Sequence, residues 1–193
     1  MINPLENIAA HFNEHSQLIA AVSALCSESI KSAGAQTVHL LENDGTLFWC
    51  GNGGSAANSQ YMASELIGRF KKDLIALRSI ALTTDTSALK CFANDFSYED
   101  TFLRQLWVLA RDGDELVAIS TSGNIENILR ALKAVRELGV KTIVLLRKDG
   151  VQVKVLANLA IDIPGDSTAR IEEAHVVIGH IPCDLIEREL GIV

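Results

Sequence analysis

Twice in this chain a short run of strand-forming residues stops at a turn of small polar residues and resumes at helical spacing. The first copy is Thr46-Leu-Phe-Trp-Cys50, then Gly51-Asn-Gly-Gly-Ser55, then the helical pattern of Ala56 to Phe70. The second is Glu115-Leu-Val-Ala-Ile-Ser120, then Thr121-Ser-Gly-Asn124, then a segment of good helix propensity from about Glu126 to Leu138. Runs this apolar do not alternate, so both of their faces need cover, which a parallel sheet with helices on each side provides. Three further runs, Arg78 to Thr83, Val140 to Leu146 and Leu159 to Ile163, bring the count to five strands alternating with helices. The expected fold class is α/β, a doubly wound five-stranded parallel sheet flanked by helices.

The remaining segments are helical by spacing. Apolar residues from Leu5 to about Ser32 fall three or four apart, Ala35 to Leu41 reads as a further short helix, and Asn43-Asp-Gly45 as a turn. These helices precede the first strand and cross over to nothing, so their apolar faces need another surface, for which partner subunits are one candidate. Thr84-Asp-Thr-Ser87 caps a helical segment ending near Asn94-Asp95, and Tyr98 to Ala110 carries another. A long C-terminal helix begins at Ser167 or Thr168. Pro182 is expected to kink or end it near Ile181, unless Cys183 to Leu190 is a separate segment.

With 193 residues, 48% apolar and 21% charged, the chain fits one domain. Its formal net charge of −7 argues against non-specific binding to nucleic acid or to an anionic membrane, so a phosphorylated ligand has to be held locally. No uncharged run reaches the roughly 18 residues of a membrane span, and Met-Ile-Asn-Pro-Leu-Glu is no basic leader. Cys26, Cys50, Cys91 and Cys183 form no CxxC pair and read as buried, reduced thiols. A soluble, cytoplasmic protein is expected.

In open parallel sheets ligands bind beyond the C-terminal ends of the strands, where Asn52 to Ser55 and Ser120 to Asn124 both lie by this reading. Ser120, Thr121 and Ser122 supply hydroxyls beside free helix N–H groups, which suits phosphate oxygens without a Walker lysine or a dinucleotide Gly-x-Gly-x-x-Gly spacing. Glu65 follows Tyr61 by one helical turn and could reach back toward the crevice. His180 sits among Ile178, Ile181 and Cys183, and Glu172, Glu173 and His175 read as exposed helix polar residues. Spacing does not choose among them.

Five ordered motifs make a resemblance: Cys50-Gly-Asn-Gly-Gly-Ser-Ala-Ala57, Ser64-Glu-Leu-Ile-Gly-Arg-Phe70, Asn94-Asp95, Ser120-Thr-Ser-Gly-Asn124, and Thr168-Ala-Arg-Ile-Glu-Glu173 with Gly179-His180. Over nearly the whole chain they resemble the phosphoheptose isomerases, which are sugar isomerase (SIS) domain proteins. The resemblance implies a flavodoxin-like SIS domain over residues 1–193, with the N-terminal helices of residues 1–44 contributing to an oligomer interface. It implies isomerisation of sedoheptulose 7-phosphate to D-glycero-D-manno-heptose 7-phosphate, in heptose and lipopolysaccharide biosynthesis, by a homotetramer whose sites are built across subunits. Carried over, Asn52, Gly53, Gly54, Ser55, Asn94, Asp95, Ser120, Thr121, Ser122 and Glu172 bind substrate, and Glu65 and His180 are the acid/base pair. Proton transfer between C1 and C2 through an enediol needs one group to abstract and another to protonate the carbonyl oxygen.

No nucleotide cofactor is implied. Several members of the family bind zinc through four positions that here read Tyr61, Glu65, Glu172 and His180. Tyrosine is a poor zinc ligand at neutral pH, which leaves Glu65, Glu172 and His180 as a three-donor set. Ile125 stands where some relatives carry a phosphate-binding serine. Two other readings share the scaffold: a non-enzymatic SIS tetramer resembling the bacterial replication-initiator-associating protein, and another phosphosugar isomerase or lyase.

Overall fold

Leu47–Gly51 (β1) and Glu115–Ser120 (β3) are buried from end to end, and Ser79–Ala81 (β2), Lys141–Arg147 (β4) and Leu159–Ile163 (β5) join them in one all-parallel sheet. The strand order is β2-β1-β3-β4-β5, with Phe48 of β1 opposite Ile80 of β2 on one side and Leu116 of β3 on the other. The structure is a computed structural model describing residues 3–72 and 75–190. Its helices are Pro4–Glu42 (α1), Gly54–Ile67 (α2), Thr86–Asp95 (α3), Thr101–Leu109 (α4), Glu126–Glu137 (α5), Val151–Leu156 (α6) and Thr168–Glu189 (α7), with a 3-10 turn at Tyr98–Asp100. No helix among the described residues is long and apolar enough to cross a membrane.

The twofold period of the strands sorts the core into two layers. Leu47, Trp49, Val117, Ile119, Ile143, Leu145 and Ile161 lie in one apolar cluster with buried residues of α1, α2 and α7. Phe48, Cys50, Leu116, Ala118, Val144 and Leu146 lie in the other with Phe102, Leu106, Ile128, Leu132 and Val153 of α4, α5 and α6. The expected architecture is therefore the observed one. Several local expectations are corrected. The N-terminal segments are one 39-residue helix, capped by the Asn3 side chain and entered through Pro4. It continues through Gly34, where Leu185 of α7 approaches so closely that a Cβ would lie 2.6 Å from its Cδ1.

Likewise α7 neither ends nor divides at Pro182. Ile178, Cys183 and Ile186 on both sides of the proline are buried in the α1–α2–α7 layer, and this packing outweighs a cost of about 3 kcal/mol for an interior proline. The six-residue α6 has no side-chain cap and only Val153 buried, so it left no periodic signal. Asp85 caps α3, and β2 is three residues long. All four cysteines are free, but Cys91 is exposed, unlike Cys26, Cys50 and Cys183.

At the end of the sheet away from the candidate site, Glu115 ties α1 to β3. Its carboxylate is fully buried and accepts from the Thr37 hydroxyl at 2.6 Å and the Gln36 amide at 2.7 Å. Burial pushes the Glu115 carboxyl up to about 7, against the lowering effect of those two hydrogen bonds. A folded-state pKa above the unfolded one means that the folded protein holds the extra proton, so this stabilisation is present below about 4.5 and is lost as pH rises through about 7. We expect Glu115→Gln to gain on the parent by on the order of 3 kcal/mol between pH 4.5 and pH 8 in urea unfolding. A pH-independent difference between the two proteins would contradict this assignment.

Candidate active site

The order β2-β1-β3-β4-β5 runs outward in both directions from the β1/β3 pair, so the crevice for a ligand opens where the loops after β1 and β3 diverge. Both sequence-predicted loops are there. Gly53 precedes α2 with a φ of 56°, a left-handed conformation that favours glycine, and no side chain caps the helix. Ser55 is buried, and its backbone N–H donates to the Asn52 carbonyl at 3.0 Å. In the second loop, buried Ser120 accepts the Gly123 N–H on Oγ at 3.0 Å, which folds the turn and leaves Ser122 exposed and Thr121 half-buried. Gly123 has a φ of 66° and sits where a Cβ would run into the Gly150 backbone. Ile125 occupies the N-cap of α5 and gives no capping hydrogen bond.

Two asparagines join the loops. Asn52 Nδ2 donates to Asn127 Oδ1 at 3.0 Å, and Asn127 Nδ2 returns a bond to Asn52 Oδ1 at 2.9 Å. The Tyr98 hydroxyl donates to the same Asn52 oxygen at 2.7 Å. Sequence reasoning missed Asn127 and Tyr98. The available signal for Asn127, which is 1% exposed, was a polar residue on the buried face of α5 beside Ile128 and Ala131.

Glu172, read as an exposed residue, is half-buried with its carboxylate against Gly54, where a Cβ would meet Oε1. Its backbone carbonyl accepts from Asn58 at 3.3 Å, so α7 is clamped to the first turns of α2. A negative group at a helix N-terminus is stabilised by the free N–H groups and the helix dipole.

A second cluster lies further along α2. Tyr61 Oη is 3.2 Å from His180 Nε2, the two rings meet edge to face at 5.4 Å, and Phe70 stacks on the imidazole at 5.3 Å. Glu65 adjoins Tyr61: its charge, then partial desolvation, then a hydrogen bond, raise the phenol above its ordinary pKa. Glu65 follows Gly54 by eleven residues, about 16 Å or three turns along one helix, so it does not reach back to the loops of its own chain. Asn94 and Asp95 are exposed at the end of α3; Asn94 donates to Asp95 at 2.6 Å, and Asp95 accepts from Cys91 at 3.4 Å. His175 is buried, not exposed as read, and desolvation pushes it down to about 4. Among the described residues no three His, Cys, Asp or Glu side chains are grouped as a metal site.

A family model described as the SIS domain matches residues 10–146. The chain is 45% identical to a phosphoheptose isomerase of a Nitratiruptor species, over 95% of this chain and 98% of the relative. It is 47% identical to a phosphoheptose isomerase of Helicobacter pylori, over 85% and 88%. Among solved structures, phosphoheptose isomerase GmhA from Neisseria gonorrhoeae superposes with a TM-score of 0.91 at 37% identity, covering 96% of this chain and 100% of that one.

The two glycines predict different outcomes. Gly123→Ala meets rigid backbone at a left-handed φ and is expected to cost on the order of 2–3 kcal/mol, lowering Tm by about 5–10 °C. Gly54→Ala meets the end of a flexible side chain, so Glu172 can swing aside and Tm should change by no more than about 2 °C. Parallel thermal unfolding checks the ranking, and equal losses would contradict it.

Proposed function

The chain belongs to the phosphoheptose isomerase family of SIS-domain proteins and is a sugar-phosphate isomerase, and we propose that it interconverts sedoheptulose 7-phosphate and D-glycero-D-manno-heptose 7-phosphate through an enediol. The observation that carries this reading is the Asn52–Asn127 pair, which locks the two loops into one crevice at the switch point of the sheet. Thr121 and Ser122, with the loop that Ser120 shapes, take the phosphate oxygens. Asn52, the backbone of Gly53 and Gly54, the Ser55 side chain and Glu172 take the sugar hydroxyls; Asn94 and Asp95 close the crevice from α3. Glu65 takes the C1 proton of the ketose and returns it to C2, while His180, held between Tyr61 and Phe70, protonates the C2 carbonyl oxygen as the enediol forms and takes the O1 hydroxyl proton as it collapses to the aldose.

We read residues 1–193 as one SIS domain acting as a homotetramer, with α1 in the interface. Leu5, Ile8, Phe12 and Leu25 are exposed on α1, more apolar surface than an isolated helix face normally leaves in water. The Glu65–His180 cluster, about three turns from the loops of its own chain, fits a site completed by the loops of a second copy. Four free cysteines suit the reducing cytoplasm. Heptose biosynthesis for lipopolysaccharide is the pathway this activity serves.

Replacing Glu65 or His180 by Gln should cut turnover at least about 100-fold at unchanged Tm, the loss expected for a general acid or base. Full activity in either variant would remove its assigned role. Zinc in this family would draw here on Glu65, Glu172 and His180 and would supply Lewis-acid polarisation of the carbonyl, but the Glu172 carboxylate lies against Gly54, about three turns of α2 from Glu65, so one copy of the chain does not gather the three donors. Tyr61 already engages His180 Nε2, and its raised pKa keeps the phenol neutral and a weak metal donor. We therefore expect turnover to persist in a chelator and added zinc to leave it unchanged. Loss on chelation with recovery on zinc alone would overturn this expectation.

A further inference from the structure

Tyr98 is about half exposed, so its ring is not part of the core, yet its hydroxyl is committed to Asn52 at 2.7 Å. The segment that carries it is firmly placed. Ser97 caps the 3-10 turn, Thr101 and Phe102 immediately beyond it are buried, and Asp100 pairs with Arg130 of α5 at 2.7 Å. By contrast α3, which precedes it, buries no side chain and leans on α4 through Arg104, whose guanidinium lies 3.6 Å from the Phe96 ring centroid.

The hydrogen-bond capacity of Asn52 can be counted. Its Oδ1 has two acceptor positions, taken by Tyr98 and Asn127, and one of its two Nδ2 hydrogens goes to Asn127. One N–H remains. The geometry points to Tyr98 as a positioning residue that acts through Asn52: by filling the last acceptor position it makes this amide a donor only, orienting its one free N–H toward an oxygen of the bound sugar phosphate. A hydroxyl-bearing ligand that needs an acceptor at that point is disfavoured, because Oδ1 has none left. This inference rests on the phosphosugar reading of the crevice.

The test is a double-mutant cycle on the full chain, with sedoheptulose 7-phosphate as the probe, read by steady-state turnover and by calorimetric binding. Tyr98→Phe keeps the half-exposed ring and removes only the bond, so we expect a 3–10-fold rise in KM and in Kd, kcat within twofold, and an unchanged Tm. In an Asn52→Ala background the same change should add nothing, whereas a merely structural role of Tyr98 would add its full effect there. Wild-type KM and Kd in Tyr98→Phe, an equal loss in both backgrounds, or a loss accompanied by a drop in Tm would each overturn the inference. If the wild type binds the sugar phosphate without isomerising it, the reaction assignment fails and the binding arm still decides Tyr98. If it does neither, both fall.

Discussion

A parallel sheet covered on both faces has no free surface along its strands, so whatever it binds must be met at their ends. The place of the two loops follows from that constraint. Trp49, Val117 and Ile143 on one face and Phe48, Leu116 and Val144 on the other are sealed under helices. The strand order switches between β1 and β3, so the loops after these two strands lead away to opposite sides. The opposite end is used for attachment, where Glu115 receives hydrogen bonds from α1. Stability and binding are thereby separated along the strand direction, which is why a pH effect at Glu115 can be measured without touching the site.

The parts legible in the sequence are those governed by local rules. The strands β3 and β5 and the loop glycines announced themselves through apolar runs, turn residues and helix starts, and the two loops were placed at equivalent positions by the repeated strand–turn–helix pattern. The illegible parts depend on contacts between elements distant in the chain. Pro182 looked like a helix end because the cost of a proline is local, while the burial of Ile178 and Ile186 that offsets it is tertiary. Asn127, Tyr98 and the inward position of Glu172 are likewise products of α2, α5 and α7 meeting at the sheet end. Spacing within α5 marks Asn127 only as a polar residue on a buried face, and the partners of all three are set between elements.

Charge then divides the crevice. The chain carries a net charge of −7, so a phosphate receives no help from the overall field and depends on local donors. At the first loop the N-terminus of α2 is already faced by the Glu172 carboxylate, which takes the place where an anion would gain most from the helix dipole. A second anion there would meet like-charge repulsion. The second loop presents the Thr121 and Ser122 hydroxyls beside the uncapped N-terminus of α5, and its acidic residue, Glu126, is paired with Arg130 at 2.8 Å.

This division of charge supports the proposed assignment of the phosphate to Ser120 to Asn124 and of the sugar hydroxyls to the first loop, where Asn52 is a side-chain donor and Glu172 an acceptor. That orientation constrains where the reacting carbons go. With the phosphate held at the second loop and hydroxyls at the first, the far end of the sugar projects away from the β1/β3 ends, while the Glu65 of the same chain stands about three turns down α2. Under the proposed function, the length of α2 between its first loop and Glu65 is what calls for a catalytic pair supplied to each crevice by a neighbouring copy of the chain.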